Sequence, residues 1–447
     1  MFSIINSSNL NKLYTDYPYL LDFEDNIFLF KKDNQHILPR YFKDNHPKVE
    51  EYINVWEDSE FNPKHIDIEF VGDLRSEQVP IMNALTEIYE SQGKINGILK
   101  AKPGFGKTVC ASYLTASFKK KTLIILDNSK LVSQWTEAYL KFTSLTEDDI
   151  GFIIGKEFNP KPVTITMVQT LVSKIKSNLK EFYVKMRDAG FDLVFFDETH
   201  KTSSGPKFAL SSLFLNTSNI VGLTATPYGD QLHSFFMKNI IGDILYEFTD
   251  YDNTPDVYFV NYKSGLAKQH FWRVVKSTDY IKRTAFYNSI IHTSKVYLDV
   301  ILKLTRKLVE SNRKSIIIVF TIEQLQTIVQ HLRENGIDPR PLYSKEQFVD
   351  KENDNVIVAT YKLASHGFDY SELSCLILAT PLRGKTSLIQ TIGRILRKHE
   401  GKKTPLVFDL IDHDFGSIFS ETINAKKSII SKEFKVIEYK NIDYNMN

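Results

Sequence analysis

Cysteine is scarce in this sequence and long apolar runs are absent, which excludes several classes of protein. Only Cys110 and Cys375 occur among 447 residues, and neither has a His or Cys neighbour at ligand spacing. A disulfide framework or a zinc site is therefore not expected, and a reducing, cytoplasmic setting is the default. No apolar run approaches the roughly 20 residues that a membrane span needs, and residues 1–14 lack the layout of a secretory signal. We expect no membrane partner.

The sequence also has little net charge, +2 at neutral pH. This balance neither indicates nor excludes a nucleic-acid partner, because phosphate binding needs a local basic track and not a basic whole. One such run of basic residues lies between Arg394 and Lys440. Hydrophobic residues make up 42% and charged residues 25%, which is typical of a globular protein. The length is enough for two or three domains.

Short β-branched runs alternate with longer amphipathic segments, which is the pattern of a parallel α/β fold. The predicted strands fall into two sets. The first set comprises Ile95–Lys100, Thr122–Leu126, Val163–Met167, Leu193–Phe196 and Ile220–Leu223. The second set comprises Ser315–Phe320, Val356–Ala359, Cys375–Ala379 and Leu406–Asp409. We therefore predict an α/β protein with two parallel-sheet lobes.

Domain boundaries follow from this division. The first lobe is predicted to cover residues 71–250, and the second to cover residues 277–447, including a basic C-terminal tail. Residues 251–276 are predicted to be a linker. Residues 1–70 differ in composition, being aromatic and rich in Asn. We predict that they form a small accessory domain of α+β character.

The segment AKPGFGKT, at residues 101–108, lies between a predicted strand and a predicted helix. Gly104 and Gly106 allow the backbone to curl so that its N–H groups point at phosphate oxygens. Lys107 supplies a cation for the β- and γ-phosphates, and the hydroxyl of Thr108 can bind Mg²⁺. The usual eight-residue pattern has glycine at its first position, where this chain has alanine. The segment predicts a phosphate-binding loop.

Two carboxylates, Asp197 and Glu198, directly follow the apolar run FDLVFF. Ligands of open α/β sheets collect at the carboxyl ends of the strands. Phosphoryl transfer needs an acidic residue near Mg²⁺ and a group that positions the attacking water. We assign the metal, held through water, to Asp197 and the water-positioning role to Glu198. Without a phosphate loop upstream, a solvated strand end would be the simpler interpretation.

AKPGFGKT, DETH, TATP and the later QTIGRILR, in this order, resemble the motifs of the superfamily-two helicases. The resemblance covers roughly residues 70–412. It implies two RecA-like lobes that use ATP and Mg²⁺ and are stimulated by nucleic acid. Within the superfamily, QTIGRILRKH followed by VFDLIDH is similar to the UvsW-like branch-migration helicases of phages and to the ATP-dependent helicases of T5-like phages. A phage protein of this kind acts in the cytoplasm of a bacterial host cell.

The resemblance also implies roles for residues of the first lobe. LRSEQ looks like the adenine-reading element, with Arg75 on the adenine face and Gln78 at its hydrogen-bonding edge. TLIILDNSKLVSQW and VTITMVQTL look like elements that contact nucleic acid, and the two threonines of TATP would link them to the nucleotide. The candidate nucleic-acid contacts of this lobe are Ser129, Gln134, Thr166, Gln169, Thr170, Thr224 and Thr226.

In the second lobe, Arg394 and Arg397 lie three residues apart, which would place them on one helix face. The resemblance assigns them as arginine fingers that complete the ATP site. The other candidates are Gly367 and Asp369 for the nucleotide, and Thr360 and His366 for the nucleic-acid backbone. Among aromatic residues, Phe235, Phe236 and Trp272 either separate strands by stacking or fill a core.

These residues predict an ATP-dependent DNA helicase or translocase that unwinds forks and branch-migrates junctions in replication, recombination or repair. Residues 1–70 are a candidate for additional DNA contacts, and a monomer is the working hypothesis. An RNA helicase is an alternative, because the motifs do not select the sugar. A restriction-system motor is disfavoured because no Asp…Glu-x-Lys nuclease segment stands out. An ATP-switched clamp is disfavoured by the intact catalytic residues, and a small-molecule kinase would leave the second lobe without a role.

Overall fold

The computed structural model describes residues 2–444 except 33, 57–58, 200–209, 213–214, 228–230, 249–253, 266–293, 344–353, 365–369, 381–384, 398, 400 and 437. The chain divides into two units, Met1–Phe248 and Thr249–Asn447. Among the described residues, no helix has the length and apolar character to cross a lipid bilayer.

The first unit begins with a small region of short strands and helices. Its elements are β1 (Phe2–Asn6), α1 (Leu10–Asp16), β2 (Phe30–Lys32), β3 (Gln35–Leu38), α2 (Phe42–Asn45) and β4 (Ile53–Trp56). The strands form an antiparallel sheet in the order β2-β3-β1-β4. This arrangement confirms the predicted α+β character of the N-terminal region.

The rest of the first unit is a parallel α/β lobe. Its elements are α3 (Val79–Gln92), β5 (Asn96–Ala101), α4 (Lys107–Phe118), β6 (Thr122–Leu126), α5 (Leu131–Phe142), β7 (Ile150–Ile153), β8 (Val163–Met167), α6 (Val168–Ala189), β9 (Leu193–Asp197), β10 (Ile220–Thr224), α7 (Gln231–Ile240) and β11 (Ile244–Phe248). Seven parallel strands lie in the order β11-β5-β10-β9-β6-β8-β7. The inner strands β6, β9 and β10 are buried along their whole length, which explains their continuous apolar runs.

The second unit contains another parallel sheet. Its elements are β12 (Asp256–Tyr262), α8 (Lys295–Glu310), β13 (Ser315–Val319), α9 (Ile322–Glu334), β14 (Arg340–Leu342), β15 (Val356–Thr360), α10 (Tyr361–Ala364), β16 (Cys375–Leu378), α11 (Lys385–Ile395), β17 (Leu406–Asp412), α12 (Gly416–Phe434) and β18 (Tyr439–Tyr444). The strand order is β14-β15-β13-β16-β17-β12-β18. The two sheets confirm the predicted fold class of two parallel α/β lobes.

One part of the predicted linker has a different structure. β12 lies within residues 251–276, yet it pairs in parallel with β17 on one side and with β18 on the other. Val257, Phe259 and Val260 are buried in the sheet. This stretch is therefore a strand of the second sheet and not a connection between lobes.

The N-terminal region packs on helix α7 of the first lobe. The backbone N–H of Tyr41 donates to the carbonyl of Asn239 at 2.9 Å, and Asn45 Nδ2 donates to Asn239 Oδ1 at 3.0 Å. The ring of Phe42 meets that of Phe235 edge to face, with centroids 6.0 Å apart. Buried side chains of both parts form one apolar cluster. The N-terminal region thus shares a core with the first lobe.

Candidate nucleotide and nucleic-acid site

The predicted phosphate loop joins β5 to α4, and α4 begins at Lys107 with Gly106 as its N-cap. Gly104 and Gly106 have φ angles of 79° and 88°, in the left-handed region that glycine adopts without strain. A Cβ atom at Gly106 would lie 2.6 Å from Gln78 Nε2. The loop therefore needs glycine at this position for two reasons, its backbone conformation and the close approach of Gln78.

The two residues assigned to adenine both contact this loop. Gln78 Nε2 donates to the carbonyl of Phe105 at 2.7 Å, and Gln78 Oε1 accepts from the backbone N–H of Arg75 at 2.9 Å. Arg75 Nη1 donates to the carbonyl of Gly104 at 3.0 Å. Gln78 is only 1% exposed, so its amide holds the loop in place. Adenine recognition by either residue stays a prediction.

Asp197 is the last residue of β9 and is 7% exposed. Trp135 Nε1 donates to its Oδ2 atom, and the backbone N–H of Glu198 donates to its Oδ1 atom, each at 2.8 Å. Burial, together with the charge of Glu198, raises the pKa of Asp197 to about 6, although Lys107 and the two hydrogen bonds act in the opposite direction. The phosphate loop follows β5 and Asp197 ends β9, and these parallel strands lie on either side of β10, so the loop and the acidic pair meet at the same edge of the sheet.

The donor atoms of this site fit Mg²⁺. No group of three or more His, Cys, Asp or Glu side chains that could hold a metal occurs in the described part of the chain. Mg²⁺ does not need such a cage, because it keeps several waters and takes the rest of its ligands from one or two side chains and from phosphates. A carboxylate offers about four lone-pair positions, of which Asp197 uses two. Asp197 and the hydroxyl of Thr108 are thus the side chains that would hold the ion.

Glu198 has an unusual backbone. Its φ angle is 46°, which is left-handed for a residue with a Cβ atom and costs roughly 1–2 kcal/mol. Strained conformations of this kind persist where the surrounding structure requires them, and they cluster at functional sites. The half-buried carboxylate of Glu198 follows directly after the buried one of Asp197. The conformation supports a functional interpretation of this residue.

Strand β10 lies between β5 and β9 and ends at Thr224. Thr224 is fully buried, and its Oγ1 accepts from the backbone N–H of Thr226 at 3.0 Å. Thr226 is 4% exposed, and its hydroxyl has no hydrogen-bond partner among the described residues. Thr199 Oγ1 donates to the carbonyls of Phe196 at 3.0 Å and Leu223 at 3.2 Å, which ties the ends of β9 and β10 together. The two predicted threonines therefore lie between the halves of the nucleotide site.

The other candidate nucleic-acid contacts of the first lobe differ in exposure. Ser129, Gln134 and Gln169 are exposed and Thr170 is half-buried. Gln169 Nε2 donates to the carbonyl of Asp127 at 2.9 Å, so the two predicted contact elements are joined. Thr166 requires a correction. It is fully buried and its hydroxyl donates to the carbonyl of a neighbouring strand residue at 2.7 Å, because β8 is an inner strand. Its side chain has no exposed surface for nucleic acid.

In the second lobe, the predicted helix face needs a correction. Helix α11 ends at Ile395, so Arg394 lies in its last turn and Arg397 lies beyond its end. The two arginines are therefore not on one helix face. Thr360 ends β15 and is 8% exposed. The candidates Gly367, Asp369 and His366 lie outside the described residues.

The aromatic residues considered for strand separation belong to the core where they are described. Phe235 is 7% exposed and Phe236 is fully buried. Phe235 packs against Phe23 and Phe42 of the N-terminal region. These two residues fill the core between α7 and the N-terminal region, whereas Trp272 lies outside the described residues.

The known proteins to which this chain is similar are described as helicases or as restriction-enzyme subunits. Residues 72–229 match the family model described as "Type III restriction enzyme, res subunit". The chain is 25% identical over 332 residues to "Probable helicase D10" of Escherichia phage T5, with 70% of this chain and 67% of that protein covered. It is 33% identical over 153 residues to "DNA 3'-5' helicase XPB" of Kineococcus radiotolerans, with 34% and 27% covered.

Among solved structures, S. cerevisiae Dbp5 bound to RNA and ADP BeF3 matches with a TM-score of 0.54 and 14% identity. The match covers 83% of this chain and 94% of that chain. It identifies the two lobes as the RecA-like pair of these proteins. These likenesses are to proteins of the superfamily-two helicase type. Helicase relatives imply ATP-dependent activity on nucleic acid, and the family uses ATP, typically with Mg²⁺.

One residue of this candidate site was not predicted from the sequence. Trp135 is fully buried in α5, where its indole N–H reaches Asp197 from a distant part of the sequence. The sequence contains one indication that Trp135 could matter for function. It directly follows Gln134, in a segment that resembles a nucleic-acid-contacting motif. A tryptophan among apolar helix residues is usually explained by packing alone, and only the folded structure brings its N–H to the carboxylate.

Proposed function

We propose that this chain is an ATP-dependent DNA helicase or translocase that unwinds forks and branch-migrates junctions. The sheet order carries the ATPase part of the proposal, because β5 and β9 lie on either side of β10 and bring the phosphate loop and the acidic pair to the same edge of the sheet. The link from Gln169 to the carbonyl of Asp127 supports the nucleic-acid part, because it joins two exposed contact elements in the same lobe. DNA is favoured because a DNA 3'-5' helicase is among the relatives.

Each residue of the site has a proposed task. The backbone of the loop and Lys107 bind the phosphates, and Arg75 and Gln78 face the adenine. Bound Mg²⁺, held by Thr108 and Asp197, would neutralise charge on the phosphates. Glu198 orients the attacking water and accepts its proton. The roles proposed for the second lobe are those of arginine fingers for Arg394 and Arg397, nucleotide contacts for Gly367 and Asp369, and backbone contacts for Thr360 and His366.

A substitution pair tests the ATPase assignment. Lys107→Ala should lose ATP binding and hydrolysis together, whereas Glu198→Gln should bind ATP but lose DNA-stimulated hydrolysis. The reason is that the first change removes a phosphate contact and the second removes only the proton acceptor. DNA binding without nucleotide should change little in either variant. Exposed Gln134→Ala is the matched control, and it should weaken DNA binding and leave unstimulated hydrolysis intact. Full stimulated turnover by Glu198→Gln would refute the assignment.

The choice of nucleic acid needs a separate comparison. Single strands, plain duplexes, forks and four-way junctions of DNA, with RNA counterparts of matching shape, should be compared as stimulators of ATP hydrolysis. Branched DNA should stimulate most if the chain migrates junctions, and steep salt dependence should accompany binding because phosphate contacts dominate. Stronger stimulation by RNA would favour an RNA helicase, the alternative supported by the structural likeness to an RNA-bound protein.

A restriction-type motor is the second alternative, because the matched family model describes a restriction subunit. Such a motor would move along plain duplex DNA and gain nothing from a branch. Displacement of a strand from a plain duplex site, without stimulation by forks, would therefore favour it. DNA clamping with ATP bound, and no steady-state hydrolysis, would instead indicate an ATP-switched clamp.

A further inference from the structure

Helix α5 lies between the turn of residues 127–130, which precedes it, and the acidic pair Asp197 and Glu198. The indole N–H of Trp135 donates to Asp197 Oδ2 at 2.8 Å, and Trp135 is fully buried. An indole N–H is a donor only, and hydrogen bonds to charged groups contribute about 1.5–3 kcal/mol. The second Asp197 oxygen is held by the backbone N–H of Glu198. The orientation of the Asp197 carboxylate therefore depends directly on the position of α5.

The opposite end of this connection is the turn that precedes α5. The backbone N–H of Lys130 donates to Asn128 Oδ1 at 3.1 Å, and that of Leu131 donates to the carbonyl of Asn128 at 3.1 Å. Ser129 and Lys130 are exposed there. Trp135 follows Leu131 by four residues, which is roughly 6 Å along a helix axis. A displacement of the turn is thus transmitted over one helical turn to the indole.

Helix α5 also contacts the helix that follows the phosphate loop. Tyr139, one turn beyond Trp135, forms a 2.8 Å hydrogen bond between its hydroxyl and Thr115 Oγ1 of α4. Its ring stacks near that of Trp135, with centroids 6.3 Å apart. Both residues are fully buried. Two neighbouring side chains of one helix therefore make buried hydrogen bonds, of which only one reaches the acidic pair.

We propose that Trp135 is a positioning residue that couples nucleic-acid binding at the Asp127–Lys130 turn to the carboxylate of Asp197. This inference rests on the proposed function, since it presupposes that the turn binds nucleic acid and that Asp197 faces Mg²⁺. Phosphate binding at the turn fixes the position of the start of α5. The indole N–H of Trp135 then fixes the orientation of the Asp197 carboxylate, which would face a water molecule bound to Mg²⁺. The coupling is reciprocal, so nucleotide binding must tighten nucleic-acid binding by the same factor.

Trp135→Phe tests this, because it keeps an aromatic ring in the core and removes the donor. Binding of the fluorescent, non-hydrolysable analogue mant-AMPPNP with Mg²⁺ is titrated with and without a saturating forked DNA. Coupling factors in proteins are typically about 5–150-fold. We expect a factor in that range for the unaltered chain and a factor near one for Trp135→Phe. The Mg²⁺ concentration that half-saturates analogue binding should also rise in this variant.

Tyr139→Phe is the matched control. It removes a buried hydrogen bond from the same helix without touching Asp197, so it should keep the full coupling factor and the original Mg²⁺ dependence. Equal coupling in Trp135→Phe and the unaltered chain overturns the proposal, as does equal loss in both variants, which would mean a general packing role. An unaltered chain without nucleotide–DNA coupling or DNA-stimulated hydrolysis would instead refute the proposed function.

A second replacement covers the case in which Trp135→Phe does not fold. Benzothienylalanine has nearly the shape of tryptophan but lacks the N–H group. It can be introduced in place of tryptophan in a chain carrying Trp56→Phe and Trp272→Phe, where Trp135 is the remaining tryptophan. Loss of coupling on this replacement supports the proposal, and retention of coupling overturns it.

Discussion

Asp197 and Glu198 are adjacent in sequence but lie in different environments. Asp197 is buried, and both of its oxygens accept hydrogen bonds from the chain. Glu198 is half-buried and has a left-handed backbone. The first carboxylate is thus fixed in orientation, as its proposed role towards Mg²⁺ requires, while the backbone of the second departs from the strand conformation. This difference is the physical basis for giving them different roles.

The backbone strain at Glu198 leads to a stability prediction. Glu198→Gly and Glu198→Ala both remove the carboxylate, so both should lose DNA-stimulated hydrolysis. Glycine adopts a positive φ without the roughly 1–2 kcal/mol penalty of other residues, although it also loses more entropy on folding. We expect Glu198→Gly to have a free energy of unfolding about 0.5–1 kcal/mol above that of Glu198→Ala. Urea unfolding of the two variants measures this, and equal stability would mean that the conformation is unstrained.

Local motifs alone led to the prediction of roles for Lys107, Asp197 and Glu198, because the phosphate loop and acidic pair each fall within a few residues. Contacts between distant segments could not be read in this way. The bond from Trp135 to Asp197 spans 62 positions. The end of α11 at Ile395, before Arg397, was not predicted either. Thr166 was assigned by resemblance, and its burial follows from the position of β8 inside the sheet.

At the scale of elements, the inner strands were predictable and several outer ones were not. β6 and β8 begin and end where the sequence placed them, because β-branched and apolar residues mark strands of a parallel sheet. β14 has three residues, and β18, YKNIDY, is largely polar and lies at the sheet edge. Short or polar edge strands lack the apolar signal, and their pairing is decided by distant residues.

The packing of the N-terminal region on α7 contains a buried histidine with a pH consequence. His46 is 5% exposed and stacks on Phe42, with ring centroids 4.0 Å apart. Burial lowers the pKa of His46, the hydrogen bond with the Phe42 carbonyl opposes this, and Lys238 lowers the pKa further. The unfolded chain binds a proton near pH 6.5, whereas the folded region does so only at lower pH. The contribution of His46 to the free energy of unfolding of this region is therefore lost as pH falls below about 6.5.

Hydrogen exchange measures this effect. We expect amides of β1 and β3 to exchange faster as pH is lowered through about 6.5, after correction for the intrinsic pH dependence of exchange. Amides of β13 and β16 in the second unit serve as the internal reference. His46→Phe keeps the ring stack and removes the titrating group, so it should flatten the dependence. An unchanged pH profile in this variant would assign the effect to another group.

At the scale of the whole molecule, each unit has its own apolar interior. The first unit contains one cluster shared by the N-terminal region and one face of its sheet, and a second cluster on the other face. The second unit contains one cluster on each face of its sheet. A buried ion pair adds to its interior, with Lys426 Nζ 2.7 and 2.5 Å from the two oxygens of Asp409. Chains with several such units commonly depart from two-state unfolding.

This organisation predicts two thermal transitions in calorimetry. A non-hydrolysable ATP analogue with Mg²⁺ should raise the transition of the first unit, because the phosphate loop and the acidic pair both lie there. The gain is about 2.7 kcal/mol at a ligand concentration one hundred times the dissociation constant. Lys107→Ala should abolish the shift and leave the transition of the second unit in place. A shift that persists in Lys107→Ala would contradict the assignment of the nucleotide site.

The position of β12 affects how the molecule can be made. β12 comes first in the second sheet by sequence, but both of its neighbours, β17 and β18, come from far downstream. During synthesis, both edges of this strand stay unpaired until most of its lobe has been made. Unpaired strand edges can form hydrogen bonds with strands of other chains. The first lobe can complete its sheet as soon as β11 has emerged. Synthesis therefore completes the first unit before the second, and the interval between them is the period in which this chain most needs protection by chaperones.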